Sequence, residues 1–205
     1  MISSPVVPVA HRQSIDLARF VAAFGVVVAH ASVMENDWVG HLSLGLFLIL
    51  TAFLAVQSLL RNGRYPFVAR AKKLVLPWVF WSLVFRLVLL MVADDPGKWQ
   101  LLSEPWSLLV GSSIHLWFLP FVMLAMALIE PCGRLIRSPS ALALALGGLV
   151  MLSVPLFWLH GKPGLPVPLP QWLVALPVYL LGVTLGLGHH LRRRGWPMLA
   201  AMAMG

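Results

Sequence analysis

Apolar runs of about 20 residues recur along this 205-residue chain, separated by short polar loops. At 1.5 Å per residue, a helix of that length crosses the ~30 Å hydrocarbon core of a bilayer. The chain is 60% hydrophobic, with a mean hydropathy of +0.87. A soluble domain of this size cannot hide so much apolar surface. The expected fold is therefore all-α: a polytopic transmembrane helical bundle, with spans at about 15–34, 41–60, 74–93, 114–129, 141–159 and 171–188. A seventh apolar segment, 196–205, makes only about 15 Å of helix and cannot cross a core of ~30 Å. The chain thus reads as about six complete spans plus an incomplete seventh, C-terminally truncated, or as one whose tail lies at the interface. Residues 1–13 read as a cytoplasmic tail and 14–205 as the transmembrane domain, with 106–113 a candidate surface-lying piece.

Charge sets the expected topology. The net charge is +8, and the basic residues fall in alternate loops. Arg12, Arg19, Arg61, Arg64, Arg70, Lys72, Lys73, Arg134, Arg137 and Arg192 to Arg194 share one side. Lys98 and Lys162 fall on the other, with Glu35, Asp37, Asp94, Asp95 and Glu104. That asymmetry predicts a cytoplasmic N-terminus and accounts for the positive charge without nucleic acid as a partner; the partner is the lipid bilayer. The first span carries internal charges and no small-residue cleavage site follows it, so it reads as retained rather than as a signal peptide. Cys132 stands alone, which excludes an intramolecular disulfide and a cysteine-based metal cluster, and no metal site is expected.

Within these spans lie residues that lipid rejects. The first, SIDLARFVAAFGVVVAHAS, holds Asp16, Arg19 and His30. Arg19 and His30 are eleven residues apart, about three helical turns, so they share one face roughly 16 Å apart along the axis. An ionisable face in a membrane helix must turn to protein or water and is a functional candidate. His30 reads either as a histidine satisfied by a neighbouring carbonyl or as a general base near neutral pH. Measured from the inner ends of their spans, His30, Arg86 and His115 come out roughly 18 to 21 Å deep, and Thr51 at about 14 Å. Arg86 is either a structural counter-charge or a holder of a carbonyl oxygen or anionic group. His115 either opens its span at the interface or belongs to a site. Asp16, at i, i+3 from Arg19, reads as its local ion-pair partner. Arg70 and Lys73 lie one turn apart on a helix entering the membrane, where together they can face a phosphate. Trp78, Phe80, Trp81 and Phe85 read as packing and interfacial anchors, and His189 with His190 as topology charge.

Four stretches in order resemble the acyltransferase-3 family of membrane-bound acyltransferases. SIDLARFVAAFGVVVAH is similar to the family's opening helix, with its Arg-x10-His pattern at Arg19 and His30. FLILTAFLAVQSLLR resembles the second helix, where Thr51, Ala52 and Phe53 stand in place of the usual Ser-Gly-Phe. FVARAKKLVLPW resembles the Arg-x-x-Arg entry to the third helix, here Arg70 and Lys73, and IHLWFLPFVML an HLWFL-type helix opening. The resemblance runs to about Pro131, and the later spans agree in hydropathy.

This resemblance implies an O-acyltransferase of the bacterial inner membrane. It would move an acyl group, in the simplest case acetyl, from cytoplasmic acyl-CoA to a hydroxyl of a cell-surface or lipid-linked carbohydrate. Acyl-CoA is then a co-substrate and no cofactor is bound. His30 is implied as the base, with Arg86 and His115 beside it as catalytic candidates. Arg19, Arg70, Lys73 and Thr51 are implied on the acyl-CoA side. The alternatives are a transporter or exporter subunit whose buried charges line a path, and an inactive fragment of the enzyme.

Overall fold

The computed structural model describes residues 13–31, 38–92 and 114–203. Among them the chain is helical, with no strand. Helix α1 is Gln13–Ala31, α2 Trp38–Asn62 and α3 Phe67–Val92. The fourth span opens as a 3-10 turn, Ile114–Trp117, and continues as α4, Phe118–Ala125, a second 3-10 turn, Met126–Leu128, and α5, Ile129–Leu135. Helix α6 is Pro139–His160 and α7 is Leu169–Ala203. Six stretches among the described residues are long and apolar enough to cross a membrane, as the hydropathy pattern predicts.

Local chemistry sets several boundaries. Gly63, at φ +69°, follows the last residue of α2 and occupies the left-handed conformation that commonly ends a helix. Ser138 caps α6: its hydroxyl accepts from the Ala141 amide at 3.1 Å, and Pro139 takes the first helical position, where no amide hydrogen is needed. Pro77 and Pro155 lie inside α3 and α6, a placement that membrane helices tolerate.

The structure moves several expected limits. Helix α3 starts at Phe67, seven residues before the expected span, and carries Arg70, Lys72 and Lys73 in its first turns. The fourth span runs on to Leu135, where Arg134 pairs with Glu130 one turn back, and the loop before α6 shrinks to three residues, 136–138. The segment expected to open a seventh span instead continues α7, a single helix of 35 residues through HHLRRRG. At 1.5 Å per residue it is roughly 52 Å long, well beyond a hydrocarbon core of ~30 Å. In each case charged residues beyond the apolar run remain helical, because a basic side chain can leave the lipid without breaking the backbone hydrogen bonds of its helix. Residues 1–12, the 32–34 end of the first expected span and 106–113 lie outside the described residues.

Helices α2 and α7 form the centre, and α7 also packs along α6, while α1 packs along α2. Lipid tails are as apolar as leucine, so helices associate in a membrane by close packing rather than by hydrophobic exclusion. The α2–α7 contact shows how. Gly182 and Gly186 of α7, one turn apart, lie directly on α2. A Cβ on Gly182 would stand 2.5 Å from the Ile49 carbonyl oxygen and 2.8 Å from the Ala52 Cβ, and one on Gly186 would stand 2.9 Å from the Val56 Cβ. Ala52 and Val56 are accordingly fully buried. The Gln57 amide donates across the same seam to the Gly186 carbonyl at 3.3 Å.

On the other side of α2, Gly25 of α1 lies against the Ser43 hydroxyl, and Gly40 lies 2.8 Å from the Ala29 Cβ when given a Cβ of its own. These pairs make α1 and α2 antiparallel. An aromatic cluster joins α4 to α7: Phe121 meets Trp172 and Tyr179 at ring distances of 6.1 and 6.2 Å, with Tyr179 fully buried. Helix α3 packs against α4 and the 3-10 turn before it.

Two glycine substitutions separate close packing from simple helix propensity. Gly182→Val pushes a side chain into a backbone carbonyl that cannot rotate away, at a cost of about 1–3 kcal/mol. Gly147→Ala, with open space around the new Cβ, keeps or raises stability by up to about 1 kcal/mol. Thermal midpoints of the two variants in one detergent should therefore move in opposite directions from the parent, or only the first should fall.

Candidate functional site

The antiparallel and parallel pairings bring five chain ends to one end of the bundle. These are the last turn of α1, the first turns of α2 and α7, the last turn of α6 and the head of the fourth span. They enclose a cavity of about 640 Å3, inside the roughly 300–1,000 Å3 of small-molecule sites. Helix α1 contributes Ala23, Val26, Ala29 and His30, and α2 contributes Gly40, His41, Leu44, Gly45, Phe47 and Leu48. Helix α7 contributes Gln171, Val174, Ala175 and Val178, the fourth span Trp117 and Phe118, and α6 the single residue His160.

The polar residues gather at one level. His30, His41, His160 and Gln171 each sit in the terminal turn or turns of their helix, at the mouth. Ala23, Leu48 and Val178 lie seven residues further along, about 10 Å deeper. The cavity is polar at the mouth and apolar below. The His160 Nδ1 lies 2.9 Å from the Pro170 carbonyl oxygen. A carbonyl oxygen only accepts, so Nδ1 carries a hydrogen, and Nε2 is the ring atom left for a further partner. The Gln171 Oε1 is buried and accepts no hydrogen bond from any described residue.

Phe47 forms part of the cavity's lower wall. Its ring meets Phe118 edge-on at 5.4 Å, and the Arg19 guanidinium carbon lies over it, 5.9 Å from the centroid. Arg19 thus stands beyond the wall, continuing the α1 stripe of Ala23, Val26 and His30 toward the opposite end. From the Gly25–Ser43 and Ala29–Gly40 contacts, Arg19 falls level with Ile49 and Leu50, between Phe47 and Thr51. Arg19 Nε and Thr51 Oγ1 are both buried and neither finds a partner among the described residues.

The opposite end is basic. Arg61, Arg64, Arg70, Lys72, Lys73, Arg134 and Arg137 are exposed there, with Arg192 of α7. Arg70 and Lys73 stand one turn apart on the first turns of α3, as their spacing predicts. A second hollow, about 380 Å3, opens among Arg64, Tyr65, Phe67, Met126, Glu130 and Arg134. The Tyr65 hydroxyl donates to the Met126 sulfur at 2.9 Å, and burial holds its pKa above the usual tyrosine value against the opposing charge of Arg70.

The sequence candidates therefore divide. His30 lines the cavity and Arg19 backs its wall. Thr51 sits one turn beyond Phe47, partly buried and outside the cavity lining. Asp16 is exposed on α1, one turn before Arg19. Arg86 is partly buried on α3 and does not line the cavity, although its estimated depth matches that of His30. His115 lies in the 3-10 turn, two residues before the cavity residue Trp117. His41, His160 and Gln171 are the lining residues that hydropathy reasoning passed over as span ends or loop. Alternation of the spans was a signal for them, since all flank the same end as His30. Among the described residues no group of three His, Cys, Asp or Glu side chains is arranged to hold a metal ion.

Comparison with known proteins extends the four-stretch resemblance along the whole chain. No curated protein and no solved structure matches it. The model of the acyltransferase-3 family, described as an acyltransferase domain, matches residues 12–205, past Pro131 and through the later spans. With six membrane-capable helices and that match over nearly its full length, the chain is a multi-pass membrane protein that belongs to the acyltransferase-3 family.

Proposed function

We propose that this chain transfers an acyl group, in the simplest case acetyl, from acyl-CoA to a hydroxyl of a cell-surface or lipid-linked carbohydrate, with His30 as general base. The observation that carries the proposal is the α1 stripe. His30 lines a cavity open at one end of the bundle, and Arg19, on the same face about 16 Å away, points the stripe toward the basic end. In this reading the CoA phosphates rest on Arg70 and Lys73. The acyl-bearing arm runs along α1 past Arg19 and Thr51, and the thioester reaches the cavity.

The chemistry follows. The His30 imidazole takes the proton from the acceptor hydroxyl as its oxygen attacks the thioester carbonyl carbon. The tetrahedral intermediate collapses, the carbon–sulfur bond breaks, and the leaving CoA sulfur takes the proton from the imidazolium. One ester forms, one thioester is lost and His30 ends as it began. The apolar lower cavity limits the water that would hydrolyse the thioester instead. The basic end faces the cytoplasm by the positive-inside rule, so donor and acceptor approach from opposite sides of a bacterial inner membrane. Arg86 and His115 are assigned a supporting place near the head of the fourth span, against which α3 packs.

Labelled acetyl-CoA supplied to membranes that hold the protein should deliver label to a polysaccharide or lipid-linked sugar. His30→Ala should lower transfer by about 10²–10⁴-fold, and full transfer by that variant rules out the base. Arg70→Gln with Lys73→Gln should raise the donor KM by about tenfold or more with a smaller change in kcat; an unchanged donor KM removes the phosphate site. For topology, a maleimide that cannot cross membranes should label Lys162→Cys in intact cells and leave Ser140→Cys unlabelled, each in a Cys132→Ser background. The reverse pattern inverts the orientation.

A further inference from the structure

We infer that His160 and Gln171, at the corner between α6 and α7, form an acceptor subsite that recognises an uncharged polyhydroxylated sugar. The inference rests on the acyl-transfer reading for what the cavity is used for, and goes beyond it in residues and in ligand chemistry.

Three observations converge on this corner. The Pro170 carbonyl engages His160 at Nδ1, which leaves Nε2 for a second partner. Gln171, the residue after Pro170, lines the same cavity with a buried carbonyl oxygen that no described residue satisfies. A buried acceptor without a donor is costly, and a ligand hydroxyl is the donor that removes the cost. The corner thus offers two hydrogen-bonding atoms from neighbouring elements, which suit two hydroxyls of one ring, since a hydroxyl both donates and accepts.

The third observation is charge. The described lining holds no Asp, Glu, Lys or Arg. A carboxylate or phosphate on the acceptor would lose its hydration there and find no Lys or Arg in exchange. An ammonium group would meet no carboxylate. Hydroxyls meet His160 and Gln171, and the C–H faces of a pyranose meet the Trp117 and Phe118 rings. The hydroxyl to be acylated then faces His30 across the mouth, while the corner holds its neighbours.

Equilibrium binding tests the subsite without any chemistry. The full chain in lipid nanodiscs is titrated with radiolabelled cellobiose, a neutral disaccharide, and with cellobiouronic acid, its carboxylate counterpart. Cellobiose should bind saturably, and cellobiouronic acid at least tenfold more weakly. Gln171→Met, which keeps shape and removes the acceptor, should weaken cellobiose by roughly five- to tenfold. Gln171→Glu, which keeps an acceptor oxygen, should stay within about threefold of the parent by the same reasoning. His160→Phe should weaken binding as Gln171→Met does.

The subsite is overturned if the parent does not bind cellobiose saturably, or binds the acid as tightly. It is equally overturned if Gln171→Met and His160→Phe bind cellobiose like the parent at an unchanged thermal midpoint. Should Gln171→Met fail to fold, His160→Phe and Gln171→Glu decide by the same criteria. Labelled acetyl-CoA in the same nanodiscs separates the two levels. Cellobiose binding that depends on Gln171 without acetyl-CoA consumption keeps the subsite and rejects acyl transfer. Acetyl transfer with cellobiose binding indifferent to Gln171 and His160 does the reverse.

Discussion

Close approach of α2 and α7 is the constraint on which the other placements depend. In a bilayer no solvent drives apolar helices together, so the pair holds only where backbones come near enough for dense contact. Gly182 and Gly186 supply that approach, against Ile49, Ala52 and Val56. Once α2 and α7 lie parallel, the rest is limited by connection length. Helix α1 returns along α2 and α6 returns along α7, each antiparallel to its partner. Their ends must then meet at one level, and the cavity is the space left between them. The family's usual Ser-Gly at the second helix is Thr51-Ala52 here, and the loss of glycine is made good from the other side. The Ala52 methyl sits where a side chain on Gly182 would have been.

This architecture separates two kinds of polarity, and the proposed transfer from acyl-CoA is a reaction that would use them apart. Phosphate recognition calls for exposed cations, and they cluster at the basic end around Arg70 and Lys73. Proton transfer calls for an imidazole beside the reacting hydroxyl, and His30, His41 and His160 gather at the other end above apolar walls. The stripe of Arg19, Ala23, Val26 and His30 is the face of α1 that lines the cavity and continues past its Phe47 wall. A helix with that face could not be left to lipid, which is why its packing on α2 through Gly25 and Gly40 matters to the site as well as to the fold.

Much of this was legible in the residues. Span number and alternation follow from hydropathy and charge, and the pairing of Arg70 with Lys73 follows from helical spacing once α3 is allowed to begin early. The shared face of Arg19 and His30 also needed only a period of 3.6. Span ends were less legible, because hydropathy marks where lipid stops and not where the backbone hydrogen bonds stop. Hence Arg134 and the HHLRRRG run are helical. The grouping of His30 with Arg86 by depth was incomplete for a related reason. Depth is one coordinate, and which helices are neighbours is another. Helix α3 borders α4 rather than the α1–α2–α7 junction, so Arg86 shares a level with His30 without sharing its cavity. His160 and Gln171 were hidden in the same way: their meeting depends on α6 doubling back along α7.

Phe47 is where the two ends of the site meet. Its ring is held edge-on by Phe118 and carries the Arg19 guanidinium near its centroid, while its other surroundings belong to the cavity. On the acyl-transfer reading, an arm extending from the basic end along the α1 stripe meets this ring before it reaches His30. The same ring stands between the cavity and the Arg19 guanidinium. An arm that displaces it exchanges one apolar contact for another, since the arm's methylenes can pack where the ring did. Water that displaces it would leave Phe47 and Phe118 without their partners and gain only the few polar atoms beyond. On that reading the wall would discriminate by contact energy rather than by size, yielding to a chain that replaces the lost packing and resisting a solvent that does not.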